Sequence, residues 1–279
     1  MGEYFIPQYV WYSSKYMDKN IKMNSPLVSV ILSTYNGSKY IIESIDSVLR
    51  QSYKFFEFII INDCSSDNTE QVILEYQKND KRVIYLKNKK NLWLTSSLNR
   101  WLSQARGEYI ARIDDDDIWM LDKLEKQILF MEKNLDYWLC GTSTIVIDQN
   151  GEEIKRTLMR YSNIEIKDNL LKSNQFTHSS IIMRRSILEE VWYYSKIYNG
   201  AEDYELWLRI WQISKLYNIV QYLTKYRWLK TSISREKWLN QETLTLKIMC
   251  KYRKDYPNFY TSLLLRIGYF MLKLFKIIK

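Results

Sequence analysis

Glycine is scarce in this chain. Seven glycines among 279 residues compare with roughly twenty at an average usage of about 7%, and none falls in a GxGxxG or GxxxxGK[ST] pattern. Those loops bring backbone N–H groups onto phosphates, so the dinucleotide-binding and P-loop classes lose their basis. Histidine occurs once, at His178, and cysteine three times, at Cys64, Cys140 and Cys250, far apart. Neither a disulfide framework nor a Cys/His zinc centre can be assembled from that set, and a reducing compartment is expected. Residues 1–25 lack a basic stretch followed by an apolar run and a small-residue cleavage site, which predicts a cytoplasmic product. Acidic side chains are missing from the carboxyl-terminal segment, where residues 246–279 carry eight Lys and Arg against Asp255 alone and so hold most of the net charge of +9. The remainder is close to neutral and offers no extended basic face, so nucleic acid is not an expected partner.

Apolar residues make up 46% of the chain, enough for a sizeable core at this length. From Pro26 onward, apolar runs alternate with amphipathic stretches. LVSVIL (27–32), FEFIIIND (56–63), RVIYL (82–86) and GEYIARI (107–113) read as buried strands, separated by helical patterns at 41–52, 65–77 and 95–105. That order predicts an α/β fold with a Rossmann-like, mostly parallel central sheet flanked by helices, ligands binding at the carboxyl ends of the strands. The second half is less regular. Helices at 121–134 and 202–214 and strands at 139–148 and 176–185 suggest a half added to the same sheet.

Four consecutive aspartates, Asp114 to Asp117, follow the strand YIARI. Like charges crowded at a strand end repel one another, and a divalent cation relieves that cost. Hard oxygen ligands suit Mg²⁺ or Mn²⁺, which use one or two carboxylates together with substrate phosphates. Ser33, Tyr35 and Asn36 after the first strand and Asp63 after the second line the same predicted edge, supplying a stacking ring and hydrogen-bond acceptors for a nucleoside. An acidic pair, Glu202 and Asp203, opens the helix at 202–214, where the macrodipole favours it.

Taken in order, these segments resemble the family 2 glycosyltransferases, whose catalytic domain has the GT-A fold. VSVILSTYN (28–36) and FIIINDCSSDNT (58–69) resemble the nucleotide-binding strands and loops, and IARIDDDDIW (110–119) resembles the D-x-D metal motif. HSSIIMRR (178–185) is similar to the strand lining the acceptor cleft, and AEDYELWLR (201–209) to the ED motif. The resemblance runs from about Pro26 to Ser234. It implies a glycosyltransferase domain over 26–233, preceded by an unassigned extension at 1–25 and followed by carboxyl-terminal helices at 234–279. It further implies inverting transfer of a sugar from a nucleoside-diphosphate donor, UDP favoured, to a glycan or lipid-linked acceptor in cell-surface polysaccharide synthesis. Asp203 takes the role of catalytic base with Glu202 in support, Asp116 and Asp114 hold Mn²⁺ or Mg²⁺, and Ser33, Tyr35, Asn36, Asp63, Asn91, Asp114 and Asp115 contact the donor. His178, Arg184 and Trp207 fall at the acceptor cleft. A sugar nucleotidyltransferase would need a glycine-rich loop after the first strand, which is missing; a non-catalytic carbohydrate-binding protein is the other alternative.

Tryptophan is abundant where glycine is scarce, with ten residues. Trp93, Trp101, Trp138, Trp192 and Trp211 stand where relatives of this family carry glycine, and a turn needing positive φ rejects a large side chain. Translation of UGA glycine codons as tryptophan would account for both oddities; a lineage rich in aromatic residues is the alternative. In the tail, SLLLRIGYFMLKLFKIIK places Arg266, Lys273, Lys276 and Lys279 within roughly 140° of a helical wheel. This pattern is too short and too charged to span a bilayer. It suits a helix lying on an anionic membrane surface, here the inner face of the cell membrane.

Overall fold

The computed structural model describes residues 25–229 and 238–275. Four parallel strands form the first half of the sheet: β1 (Val28–Thr34), β2 (Phe56–Asn62), β3 (Val83–Lys87) and β4 (Tyr109–Asp114). They lie in the order β3-β2-β1-β4, with Val28 in register with both Phe56 and Tyr109. The crossovers are α1 (Ile41–Leu49), α2 (Thr69–Asn79) and α3 (Leu94–Leu102). β1 alternates its faces with the period of a strand. Val28, Val30 and Leu32 pack with Ile41 and Ile45 of α1, whereas Ile31 packs with Leu98 and Leu102 of α3. Each fully buried aliphatic side chain of these runs contributes about 1.5–3 kcal/mol relative to exposure.

The second half continues the same sheet but not its direction. After the two-residue β5 (Ile118–Trp119) and α4 (Lys123–Lys133) come β6 (Tyr137–Ile147), β7 (Glu153–Thr157), α5 (Asn163–Leu170), β8 (Ile182–Arg184), α6 (Arg185–Glu190), α7 (Glu202–Ile213) and β9 (Lys215–Arg227). β8 runs antiparallel to both β4 and β6, and β9 is parallel to β6. Parallel order therefore holds for the first four strands, and the expectation of a mostly parallel sheet gives way to a mixed one beyond β4. The segment 176–185, expected as one strand, is a 3-10 turn at His178–Ser180 followed by the three-residue β8. Its serines explain this: Ser180 gives both its N–H and its hydroxyl to Thr177 O, and Ser179 Oγ accepts Asp114 N–H. β9, the longest strand, carries no clear alternation of polar and apolar residues and was not anticipated from the sequence.

Two further helices, α8 (Trp238–Lys251) and α9 (Phe259–Leu274), pack against α7 and each other. Glu205 of α7 is the anchor, buried and bonded to Arg209, Lys251 and the Tyr252 hydroxyl. On α9 the charges lie opposite to the expected arrangement. Arg266 turns inward to Glu242 at 2.7 Å, and Lys273 lies over the Trp238 ring. The outward face holds Tyr260, Leu264, Leu265, Ile267, Tyr269, Met271, Leu272 and Phe275, all exposed. Arg266 and Lys273 therefore do not supply an outward basic arc, and Lys276 and Lys279 lie outside the described residues. No helix among the described residues is long and apolar enough to cross a membrane.

The tryptophans divide into two groups. Trp93 has φ 66° and ψ 157°, and Trp192 has φ 61° and is followed by Tyr193 at 55°. These are the two positions where the conflict with glycine conformation is real. Trp101, Trp138 and Trp211 have ordinary negative φ, and the Nε1–H groups of Trp101 and Trp211 bond Asn88 and Asn163.

Candidate active site

The carboxyl ends of β1 and β4 open onto a cleft of about 850 Å³, within the range of ligand pockets. Its lining includes Tyr35, Arg112, Asp114, Asp115, Asp116 and Asp203. In-register pairing of Ser33 with Asp114 sets the turn after β1 beside the aspartate run. Thr34 Oγ1 then donates to Asp115, and at Gly37 any Cβ would overlap the Asp115 carboxylate.

The four aspartates have separate tasks. Asp114 receives both terminal nitrogens of Arg112, a residue buried on the same side of β4. Burial disfavours the guanidinium charge, but the Asp114 carboxylate outweighs that and holds it protonated. Asp117 turns inward, where its Oδ1 accepts the Arg227 backbone N–H at 2.7 Å while Oδ2 is buried without a hydrogen-bond partner. Asp116 lines the cleft, and its side chain makes no hydrogen bond to another described residue; only its carbonyl is held, by Arg227 Nε at 2.8 Å. Burial, reinforced by Asp114 and its neighbours, pushes Asp116 up to about 8 and Asp115 up to about 6. Among the described residues no three His, Cys, Asp or Glu side chains converge as a ready-made metal shell. The donor set of one free carboxylate beside a second fits a hard cation that completes its shell with phosphate and water.

Arg227 is the fastening of this loop. Besides Asp116 and Asp117 it reaches Glu43 of α1 at 2.9 Å and the Asp148 carbonyl at 3.2 Å, joining four segments at one buried guanidinium.

The opposite wall is the amino end of α7. Glu202 is buried, with Oε2 accepting Gly200 N–H at 2.6 Å, and burial next to Asp203 pushes it up to about 7. Burial likewise raises Asp203, whose Oδ2 accepts the Asn174 amide at 2.7 Å. His178 lines the cleft, pairs with the Tyr194 hydroxyl at 2.8 Å and stays neutral, because burial and the nearby Arg112 charge push it well below the usual range.

Other expected site residues fall elsewhere. Arg184 pairs in register with Tyr109 at the amino end of β4, where it bonds the Tyr109 hydroxyl and the carbonyls of Met131 and Tyr137. That is the far end of the strand from Asp114, so Arg184 is not at the cleft. Trp207, one helical turn after Asp203, is fully buried beneath His178 and Phe176 and does not line the cleft. Asp63 is buried, with its carboxylate taken by Leu92 N–H and Asn88, and Asn91 caps the Trp93 N–H; neither lines the cleft. Ser33 is half-buried and does not line the cleft. Tyr35 is exposed in the cleft, whereas Asn36, also lining it, spends its side chain on Ser66. Arg112, Asn174 and Arg227 are site residues the sequence reading did not single out. Arg112 alone had a signal, being two residues before Asp114 on one face of a strand.

Residues 29–192 match the profile of Glycosyl transferase family 2. The chain belongs to that family. It is 39% identical over 210 residues to an uncharacterised glycosyltransferase of Methanocaldococcus jannaschii, covering 74% of this chain and 72% of that one. It is 34% identical over 220 residues to Escherichia coli WfgD, named as a UDP-Glc:alpha-D-GlcNAc-diphosphoundecaprenol beta-1,3-glucosyltransferase, covering 77% and 83%. Among solved structures, Staphylococcus aureus TarS 1–349 with UDP shares the fold at TM-score 0.63 and 19% identity, over 80% of this chain and 65% of its own. The Pyrobaculum calidifontis mannosyltransferase PcManGT, in complex with GDP-Man and Mn²⁺, does so at 0.63 and 16%, over 88% and 69%. The fold is GT-A and the chain is a sugar transferase. It spans about two thirds of the length of TarS 1–349.

Proposed function

We propose that this enzyme is a metal-dependent inverting transferase that moves a sugar from a nucleoside-diphosphate donor, UDP favoured, onto a glycan or lipid-linked acceptor of a cell-surface polysaccharide. One observation carries the reading: the unbonded Asp116 carboxylate and the Glu202–Asp203 pair line one cleft, on different walls. Asp116, with Asp114 beside it, would hold Mn²⁺ or Mg²⁺, which when bound supplies positive charge against the leaving diphosphate. Tyr35 offers an exposed ring to the nucleoside. On the far wall Asn174 fixes the Asp203 carboxylate, so one of its oxygens can accept the proton of an acceptor hydroxyl. WfgD, named for a lipid-diphosphate acceptor, supports the acceptor class.

The outward apolar face of α9, together with the exposed Lys247 of α8 and Arg253 and Lys254 in the connection between the two helices, supports contact with an anionic lipid surface on the cytoplasmic side. The decisive experiment is titration calorimetry of UDP with and without Mn²⁺, followed by nucleotide release from UDP-sugars by wild type and Asp203→Asn. Mn²⁺-promoted binding that survives the substitution, with turnover lost, is expected. UDP binding indifferent to Mn²⁺, and to Mg²⁺ in its place, ends the proposal.

A further inference from the structure

The main cleft has a side chamber of about 180 Å³, lined by Asn174, Gly200, Asp203, Gln241, Thr245 and Arg266. Asn174, Gly200, Asp203 and Gln241 also line the main cleft, so the two spaces meet at the Asp203 carboxylate. None of the aspartates of the 114–117 run lines the chamber. Ala201 and Tyr204 complete its lining, so polar groups are set among apolar surface. Gln241 spends its amide N–H on the Gly200 carbonyl at 2.9 Å and keeps Oε1 without a hydrogen-bond partner among the described residues, and Thr245 donates to the Gln241 carbonyl and keeps its lone pairs. Arg266 binds Glu242 through Nε and Nη2 and leaves Nη1 without a hydrogen-bond partner among the described residues. On the same inward face of α9, Ser262 Oγ is buried and unpaired.

We propose that this chamber is the acceptor subsite and takes one sugar ring, recognised through its hydroxyls by Gln241, Thr245 and Arg266. The inference rests on the reading of Asp203 as the base. In the step it serves, the acceptor oxygen forms a bond to the donor's anomeric carbon. The bond from that carbon to the diphosphate oxygen breaks, its electron pair leaves with the nucleoside diphosphate, and the hydroxyl proton passes to Asp203. Mixed donors and acceptors set around a cavity of this size match a hydroxyl-rich ring. A nucleoside diphosphate needs the larger cleft and its charged wall. All three recognising residues lie beyond residue 192, where the match to the family profile ends. α9 then has two faces with two duties: Arg266 inward at the chamber and the apolar row outward.

The test compares wild type with Thr245→Trp, which fills the chamber, Thr245→Val, which removes only the hydroxyl, and Thr245→Ser, which keeps it. UDP affinity with Mn²⁺ is measured by calorimetry. Release of UDP from UDP-glucose, UDP-galactose and UDP-GlcNAc is measured alone and with octyl glucoside, galactoside or N-acetylglucosaminide as acceptor. Thr245 does not line the donor cleft, so UDP affinity is expected to stay within about twofold. Acceptor-stimulated kcat/KM is expected to fall roughly tenfold or more in Thr245→Trp and several-fold in Thr245→Val, through KM, and to persist in Thr245→Ser. Equal stimulation in all four proteins overturns the assignment, as does wild type that binds UDP but responds to no octyl hexoside. Wild type that fails to bind UDP sinks the underlying reading instead.

Discussion

The sharpest stability prediction concerns Trp192. It is the second residue after α6, at the position where helices most often close with a left-handed glycine, and its N–H still reaches back to the Glu189 carbonyl. A non-glycine residue in that conformation costs about 1–2 kcal/mol. Replacement by glycine removes this cost but adds unfolded-chain freedom worth about 0.5–1 kcal/mol. The indole is 87% exposed, so almost no burial is lost with it. The balance is a gain of about 0.5–1 kcal/mol, which for a chain of this size raises Tm by roughly 1–4 °C. Trp101→Gly is the control: in the last turn of α3 it forfeits helix propensity of up to about 1 kcal/mol and the bond to Asn88, and should lower Tm. Differential scanning calorimetry of both variants reads the result. A lower Tm for Trp192→Gly refutes the strain argument. At Trp93 the backbone lies in a region that glycine almost alone adopts, at about 1–3 kcal/mol, but the half-buried indole offsets that gain. The same conflict implies glycine at 93 and 192 in the native polypeptide. Peptide mass spectrometry of protein from the native host is expected to show it, and UGG codons at those positions would end the recoding account.

Acidification should silence the enzyme above the ordinary carboxylate range. The base must be ionised; burial raises Asp203 above the ordinary carboxylate range and pushes the neighbouring Glu202 up to about 7, and so kcat/KM falls as pH drops through the raised range. In Asp203→Asn, turnover is expected to be about 10²–10⁴-fold lower and this limb to vanish from the residual rate. Substituting Arg227→Lys, or the milder Glu43→Gln, loosens the carbonyl of Asp116; electron paramagnetic resonance of Mn²⁺ in the presence of UDP should show affinity weakened, roughly tenfold for the lysine variant, and unchanged affinity in both would remove Arg227 from the positioning of this loop. Glu205→Ala strands Arg209 and Lys251 beside a buried hole and should cost about 3 kcal/mol in urea unfolding. Flotation with phosphatidylcholine–phosphatidylglycerol vesicles should capture wild type even at high salt, since α9 offers apolar rather than basic side chains, and Leu264→Glu should release it.

The first half of the fold was legible because β1, β2 and β4 are buried on both faces and read as apolar runs, and because a carboxylate run directly after such a run lies at a sheet edge whatever the topology. Asp203 was legible as the opening of a long amphipathic helix. The departures share a cause: a motif groups residues by sequence, whereas strand direction, helix phase and loop closure place them in space. β8 runs antiparallel to β4, so a residue two positions past the start of β8 is carried to the wrong end of the cleft, and Arg184 went with it. Trp207 sits four residues after Asp203 but points into the core. Asp63 stands at the right strand end, yet loop 88–92 folds over it and consumes its carboxylate. Arg227 had no local signal, since the carbonyl it holds is 111 residues away.

Arg112 explains how these pieces act as one site. It is one of two buried guanidiniums at the aspartate run; the other, Arg227, is committed to Glu43 and to the carbonyls of Asp116 and Asp148, whereas the Arg112 charge also bears on Glu202, Asp203, His178 and Tyr194 on the other wall. One guanidinium cannot neutralise Asp114, Asp116, Glu202 and Asp203 together. It is committed to Asp114, so the deficit is left at Asp116 and at the α7 pair, the groups that burial pushes upward. Those two deficits ask for different remedies. At Asp116 the cleft is open and the carboxylate unbonded, so a divalent ion arriving with a diphosphate relieves it. At Asp203 the carboxylate is fixed by Asn174, and the available relief is a proton taken from a neighbouring hydroxyl. The same shortage of positive charge thus prepares one wall to receive the donor and the other to activate the acceptor.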